Sequence, residues 1–505
     1  MNKKRFLAGV AAVLSVGMML TACGNGNTGS DSAQSGKKTS DFGTGLNVEN
    51  VGKDPNADYN VSGTVTIAID TARPTDYEAM IDMISQLYKN IDVKIDYYSH
   101  GTRGDNAEEY LSNRAAAGTL PDIIFDEAGS LPTYVLQGWL YPLDEFVKDD
   151  PDIKYVPQGL IDDYTYGGKL YALPNQAQFE AFNLNLDILD ELNIDPPEPD
   201  WTFEDFEELL KKTTTNKYSG IERLSPYDEN ASCTYGNEGF LGYSKSKKSF
   251  SMMGAYSKTL TMMRKLRDYP GLEAWTLRAN SSGGESDYIK KFGNGNLNDE
   301  YMAFNAGRVA MRNVGTWSYT STVQAKLGFD WMYMSYPQSK DNPGRLPMHV
   351  DHSFMTTGVK DKEAAFQILR FLTYSTEGNI TRLSMFDKEN EGKYILNTNL
   401  YYPTTTHPDV VKKFSSLPGA TDIDKYMYGC VEASAVNSRT DQYKIVPNWQ
   451  NINYDIIEEP TNRIAEGFYS PEQVLPGVQK SATEAVQKAW SEFDAKLKEI
   501  QAAGN

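Results

Sequence analysis

The chain has 505 residues, 40% of them hydrophobic, and a formal net charge of −19. That length supports two lobes with substantial cores. That charge repels nucleic acid and anionic lipid headgroups and disfavours anionic substrates. Aromatic residues include 32 Tyr against 7 Trp. Such side chains suit neutral polar ligands, and a merely Tyr-rich extracellular protein has the same composition.

Met1-Asn2-Lys3-Lys4-Arg5 is basic, and Phe6 to Leu20 is apolar and uncharged. A cationic start, a short apolar run and small residues before a break read as a secretory signal. The run is shorter than the roughly 20 residues of a bilayer span. Leu20-Thr21-Ala22-Cys23 resembles the lipobox of bacterial lipoproteins, in which the Cys is diacylated and becomes the new N-terminus. Residues 1–22 are therefore read as a lipoprotein signal peptide and Cys23 as the lipidated residue. Residues 23–62, rich in Gly, Ser, Asn and Asp, read as a flexible tether.

Folded structure is expected from Gly63. Val65, Ile67 and Ile69 alternate as a strand. After the break at Asp70 to Pro74, Thr75 and Glu78 form a capping-box pattern, with Tyr77, Met80, Ile81, Ile84, Leu87 and Tyr88 at helical spacing. Ile91 to Tyr97 alternates again, a helix fits Asn106 to Ala117, and Pro121 to Phe125 reads as a third strand. Strand–helix–strand order predicts an α/β domain with a parallel sheet. Thr202 caps a helix carrying Phe206, Leu209 and Leu210, and Ala364, Ala365, Ile368, Leu369 and Leu372 form one face of another. Near the C-terminus, Ser481 and Glu484 read as a capping box, followed by a stripe of Val486, Trp490, Phe493, Leu497 and Ile500.

Hydrolase and phosphate-binding motifs (Gly-x-Ser-x-Gly, His-Glu-x-x-His, a phosphate-binding Gly loop) do not occur. The histidines are His100, His349, His352 and His407. His349 and His352 make a weak metal pattern and read better as hydrogen-bonding groups. Asp126 and Glu127 are adjacent, so in a strand they face opposite sides and give no support to a retaining glycosidase pair. Oxygen-bearing residues alternate at Asp54, Asn56, Asp58 and Asn60 and at Asp387, Glu389 and Glu391, but neither series has the closing Glu of a calcium loop. No metal and no cofactor is expected. Cys233 and Cys430 are expected to be unpaired thiols, since a chain of this size needs no staple.

Several segments resemble the extracellular solute-binding proteins that serve ABC importers, in their carbohydrate-binding branch. Ala115-Ala116-Ala117-Gly118-Thr119-Leu120-Pro121-Asp122 is similar to that family's turn into a strand, and Gly138-Trp139-Leu140-Tyr141-Pro142-Leu143-Asp144 to its Gly-x-Leu-x-Pro-Leu-Asp segment. Tyr166-Gly167-Gly168-Lys169-Leu170-Tyr171-Ala172-Leu173-Pro174 resembles its Gly-Lys-x-Tyr hallmark. Asn185-Leu186-Asp187 through Pro196-Pro197 to Trp201-Thr202-Phe203-Glu204-Asp205-Phe206 resembles another family segment. Gly307-Arg308-Val309-Ala310-Met311 with Gly315-Thr316-Trp317 resembles a further one. The chain departs from the pattern at Leu184, where an aromatic is usual, and in the order of Trp201 and Thr202. These departures bear on the ligand, not on the class.

The resemblance implies a two-lobed α/β fold of the periplasmic-binding-protein type (type II), with the ligand in a cleft between lobes joined by a hinge. The N-lobe would comprise residues 63–180 and 345–385, and the C-lobe residues 181–344 and 386–505. Crossing segments and strand ends face such clefts. Asp70 and Arg73 follow the first strand, and Asp126 and Glu127 the third. Asn175, Gln176 and Gln178 lie at the first crossing, and Asp351 and His352 at the second. Trp317 matches the family's aromatic platform, and Trp449 and Tyr454 fall where further aromatics are supplied. For each polar candidate, a hinge or cap residue with internal hydrogen bonds is the alternative. Trp139 and Trp201 are expected to serve packing. The implied protein is a monomeric binding protein, not an enzyme, on the outer face of the cell membrane. It is held there by its N-terminal lipid alone and delivers an oligosaccharide to an ABC permease. A surface glycoside hydrolase, and a binding protein of the same fold for peptides or another solute, remain the alternatives.

Overall fold

The computed structural model of the chain describes residues 48, 53–71, 74–99, 105–225, 227–279, 281–282, 285–292, 302–387 and 402–503. Residues 1–22, expected to be a signal peptide, Cys23, Arg73, His100 and the alternation at residues 389–391 lie outside them.

Nine strands join one sheet: β1 (Gly63–Asp70), β2 (Ile91–Tyr98), β3 (Ile123–Glu127), β4 (Leu173–Asn185), β5 (Ser219–Ile221), β6 (Val309–Gly315), β7 (Trp331–Ser335), β8 (Met348–Met355) and β9 (Tyr402–Pro403). Helices α1 (Pro74–Leu87) and α2 (Asp105–Ala116) link β1 to β2 and β2 to β3. The strand order is β2-β1-β3-β8-β4-β6-β5, with β7 and β9 also paired to β4. β1 pairs in parallel with both β2 and β3. Its Val65, Ile67 and Ile69 are buried on one parity and Ala68 on the other, as a strand covered on both faces requires.

β4 organises the molecule. All 13 of its residues are buried. Leu173 to Phe179 pairs antiparallel with β8, ending at Phe179↔Met348. From Glu180 onward the partner is β6, starting at Glu180↔Gly315, while Ala181 to Asn185 also pairs with β7. One uninterrupted strand thus passes through both halves and exchanges neighbours between Phe179 and Glu180. The expected return of the chain at Met348 is the first residue of β8.

Helix α3 (Phe203–Thr213) starts on the expected Thr202, whose side chain accepts from Asp205 N while Asp205 returns the bond. Such a cap contributes about 1 kcal/mol. Trp201 packs on Phe182 and Phe206 and donates from Nε1 to Ser335 O at 2.8 Å. Trp139 is buried as well, so both serve packing. Helix α4 (Ala255–Arg267) follows α3, α5 (Lys362–Leu372) buries the expected apolar face, and α6 (Thr376–Leu383) and α7 (Pro408–Ser415) come after it.

Two segments differ from the sequence-based expectation. Val48 and residues 53–62, expected to belong to the tether, contact the body: Val48 is buried in the core and its N–H donates to Gln86 Oε1 at 3.2 Å. Asp54 is buried and accepts from the Arg370 guanidinium, which also meets Asp150 and Asp152. Tyr59 lies 5.0 Å from Tyr88, centroid to centroid. The polar composition that reads as linker is what a buried Arg demands of its neighbours.

The terminal helix α8 (Pro471–Ala503) begins ten residues before Ser481 and runs through Pro476. Val486, Trp490, Phe493 and Leu497 form its buried stripe, whereas Ile500 is exposed. This helix touches both halves. Thr483 and Gln479 accept from Phe250 N and Met252 N, and Trp490 donates to Tyr243 at 3.0 Å. Further along, Leu497 meets the Gly167 turn that precedes β4. No helix among the described residues is long and apolar enough to cross a membrane.

Candidate ligand cleft

Because β1, β2 and β3 are parallel, their C-terminal ends share one edge of the sheet. Asp70 and Tyr98 are register partners there, and β3 ends beside them on Asp126 and Glu127. Two bulges meet β8 at this level. Pairing of β3 with β8 steps from Ile124↔Phe354 to Glu127↔His352, which leaves one extra residue on β3. Asp126 adopts the left-handed conformation in that gap, with φ 59°. Pairing of β4 with β8 steps from Pro174↔His352 to Gln176↔Asp351, so Asn175 has no opposite number. Bulges re-aim side chains and recur beside functional sites.

Left-handed backbone at a non-glycine residue costs about 1–2 kcal/mol, and hydrogen bonds hold Asp126 in place. Its N–H donates to Ser353 Oγ at 3.0 Å. Its Oδ1 accepts from Asn175 Nδ2 at 2.9 Å and from Gln176 Nε2, and its Oδ2 from the Tyr77 hydroxyl. Asp126 thereby binds together β3, the bulge of β4 and helix α1. Burial pulls the Arg382 guanidinium of α6 down to about 10, against the raising charge of Asp126, so a cation stands near this cluster.

Along β8, His349, Asp351 and Ser353 alternate onto one face. His349 and Asp351 are partly exposed, while Met348 and Val350 between them are buried. Gln178 and Gln176 stand opposite His349 and Asp351 on β4, and Gln176 Nε2 also reaches Asp351 Oδ2 at 3.3 Å. At the far end of this polar row is Trp317, half-buried, with its ring edge-on to His349 at 4.7 Å between centroids. Its indole lies over Gly315, where an added Cβ would fall 2.2 Å from the ring. The glycine therefore makes room for the tryptophan itself. His349 Nε2 is 3.1 Å from Glu180 Oε1 and 2.8 Å from Thr440 Oγ1, at the point where β4 changes partners.

A buried ion cluster backs the row. Lys444 Nζ pairs with Asp351 at 2.6 Å and Asp441 at 3.0 Å. Arg439 pairs with Asp441 at 2.7 Å and reaches Asp163 at 3.4 Å. Burial lowers the Lys444 ammonium, but the charges of Asp351 and Asp441 outweigh it and hold the group well above its ordinary value. Burial raises the Asp441 carboxyl, and Arg439 and Lys444 reverse this and hold it far below the usual carboxylate range. Asp441 Oδ2 also accepts from Val350 N at 2.9 Å, so the cluster is fastened to β8 itself.

The structure thus brings Asp70, Asp126, Asn175, Gln176, Gln178, Asp351 and Trp317 to one sheet edge and one polar row. Three other nominated residues, His352, Glu127 and Trp449, are corrected. His352 falls on the inward parity of β8 and is fully buried, as is Glu127 opposite it, and their side chains meet at 2.9 Å. Glu127 also accepts from Gly129 N and the Tyr134 hydroxyl, so this pair is internal. Trp449 is buried in an aromatic cluster with Phe240, Tyr243 and Phe250. Tyr454 is 74% exposed, on a π-helical turn at Asn453–Glu458. Arg73 lies outside the described residues. Sequence reasoning missed Tyr98, although it closes β2 as Asp70 closes β1, and the strand-end rule applied to β2 would have found it. The ion cluster had no local signal. Cys233 and Cys430 are free and buried, and burial pushes each thiol up to about 12. Among the described residues no group of three or more His, Cys, Asp or Glu is arranged to hold a metal ion.

The model of the bacterial extracellular solute-binding protein family matches residues 79–387. The chain belongs to that family. Solved structures of similar fold include a sugar transporter protein from Rhizobium etli in an open conformation. It is 19% identical, with TM-score 0.59, over 84% of this chain and 99% of that one. The GacH receptor of Streptomyces glaucescens, solved unliganded and with acarbose, is 17% identical, with TM-score 0.56, over 85% and 99%. An ABC substrate-binding protein from Listeria monocytogenes in complex with cycloalternan is 17% identical, with TM-score 0.54, over 85% and 99%. These likenesses show the two-lobed binding-protein fold, and the family's members are binding proteins rather than enzymes.

Proposed function

We propose that this solute-binding protein is anchored by lipid at Cys23 to the outer face of the cell membrane and delivers an oligosaccharide to an ABC importer. The observation that carries the ligand class is the row from Asp126 to Trp317. From His349 to Ser353 it extends four residues along β8, about 13 Å at strand rise, long enough for more than one sugar ring. Its amides offer donors and acceptors together, as sugar hydroxyls require. Trp317 supplies an apolar face at one end for the C–H side of a pyranose. The acids at the row are bonded to protein donors, and the net charge disfavours anionic solutes. Several proteins of similar fold have been solved with sugars or sugar analogues bound, which supports the same reading.

In this reading the lobes are residues 63–180 with 345–385 and residues 181–344 with 386–505. β4 and β8 carry the hinge, and β9 draws residues 402–403 to the junction. The protein acts as a monomer and catalyses nothing. Ligand shifts it toward a closed state that a permease recognises.

Calorimetric titration of the wild type and Trp317→Ala with glucose-, mannose- and xylose-based oligosaccharides tests the reading. Loss of an anchoring aromatic costs about 2 kcal/mol, roughly a thirtyfold weaker affinity, with the ligand-free melting temperature nearly unchanged because the ring is half-buried. Equal affinity of the two proteins, or a large loss of stability, speaks against the platform. Release of reducing ends at turnover would make the protein a glycosidase, and binding of peptides alone would replace the ligand class.

A further inference from the structure

Buried polar atoms at the bulged sheet edge without a hydrogen-bond partner among the described residues include the Tyr98 hydroxyl oxygen and Asn175 Oδ1, and also Nδ1 of His352, whose ring is turned inward to Glu127. Tyr98 and Asn175 are 4% and 3% exposed. A buried polar group left unpaired costs about 1–3 kcal/mol, and such groups in native proteins point to something that pairs with them.

The orientation of Tyr98 and of Asn175 is determined by their neighbours. Asp126 offers acceptors to the donors around it, so Asn175 turns Nδ2 toward Asp126, at 2.9 Å, and Oδ1 away from it. Asn175 is the extra residue of the β4 bulge, and therefore its amide is not committed to a facing strand residue. The Tyr98 ring stacks on Tyr110 of α2, centroids 5.3 Å apart, and its backbone closes β2 opposite Asp70 at the C-terminal edge. Burial holds the Tyr98 hydroxyl well above its ordinary pKa, and the charges of Glu127, Asp126 and Asp70 act in the same direction. It remains an O–H donor.

We infer that Tyr98 and Asn175 are ligand-contacting, specificity-determining residues. The phenol donates to, and the amide oxygen accepts from, hydroxyl groups of the bound solute. An ammonium has no acceptor to offer Tyr98, an ionised carboxylate has no hydrogen for Asn175, and a carboxylate or phosphate faces the negative charges of Asp70 and Asp126. A hydroxyl-bearing neutral ligand answers both. Asp126, whose carboxylate is taken up by three side chains, acts as a positioning residue for Asn175. This inference rests on the oligosaccharide reading above.

The test is titration of the wild type and Tyr98→Phe with the tightest-binding oligosaccharide of the panel, alongside melting curves without ligand. Tyr98→Phe keeps the stacked ring and removes only the orphan hydroxyl. The expected result is an affinity about tenfold weaker, with a ligand-free melting temperature equal to or above that of the wild type. A deoxy analogue that loses affinity for the wild type but not for Tyr98→Phe would identify the hydroxyl concerned. Unchanged affinity in Tyr98→Phe, or a fall in ligand-free stability, overturns the inference while leaving the oligosaccharide reading intact. A wild type that binds no member of the panel overturns that reading and this inference with it.

Discussion

Asp441 is a single carboxylate on which two buried cations and one strand depend. Arg439 and Lys444 both pair with it, and it caps Val350 N of β8. Removing one member of a buried ion cluster costs about 3–5 kcal/mol, because the remaining charges stay desolvated and unpaired. Asp441→Asn should therefore lower unfolding stability by about that amount at neutral pH, read by urea denaturation. The sign of its pH dependence follows from the depressed carboxyl. A carboxyl whose folded pKa lies below its unfolded value of about 3.9 adds stability that is fully present above that value. That stability is lost as the pH falls through it toward the folded value. Wild-type stability should decline steeply below about pH 4, and the decline in Asp441→Asn should be shallower. Parallel slopes in the two proteins would show that Asp441 is not the group responsible.

At the scale of elements, the outcome depends on where a strand's irregularities fall. β8 itself is regular, and its alternation gives one polar face and one core face. The bulges lie on its neighbours, β3 and β4, and they place Asp126 and Asn175 where regular pairing would not. The helix capped by Thr202 and the first strands were legible because their signals are local. The extent of the tether was not. Asp54 looks like linker until Arg370, more than 300 residues away in sequence, supplies a buried partner. Asp54→Ala should release residues 53–62 without unfolding the body, since Arg370 keeps Asp150 and Asp152. A lost bond to a charged group, about 1.5–3 kcal/mol, raises local opening roughly tenfold or more. Trypsin should cut after Lys53 correspondingly faster in Asp54→Ala, followed by mass spectrometry. Equal rates would mean that the contact does not hold the segment down.

At the scale of the whole molecule, the two ends of the chain have separate parts. The proposed N-terminal signal and Cys23 bear on where the protein resides, and helix α8 contacts both halves of the fold. Wild-type protein expressed from the full sequence should fractionate with membranes and partition into detergent. Cys23→Ala should appear in the soluble extracellular fraction with unchanged melting temperature, because the lipid contributes nothing to the folded body. A wild type found wholly in the medium would remove the anchor from the reading. A single diacylated residue with two chains is enough for stable attachment, whereas one chain binds only reversibly.

The sequence by itself determined the α/β class, the strand–helix–strand opening, the Thr202 cap and the chain's likeness to extracellular solute-binding proteins. These rest on periodicity, turn chemistry and short motifs, all of which act within a few residues of themselves. It also nominated Asn175, Gln176, Gln178 and Asp351, the polar residues of β4 and β8 that belong to the proposed cleft. Only the tertiary structure decided which side of each strand faces the cleft. A change of one residue in register reverses every side chain: it turned His352 and Glu127 inward to each other and left Asn175 and Asp126 on bulges. It likewise placed Trp449 in a core and Tyr454 on the surface, since an aromatic residue's burial depends on elements that its own segment does not encode. The ion cluster of Asp351, Asp441, Lys444 and Arg439 belongs entirely to that second category, because charges separated by some ninety residues have meaning only once β8 and the chain after Ser438 lie side by side.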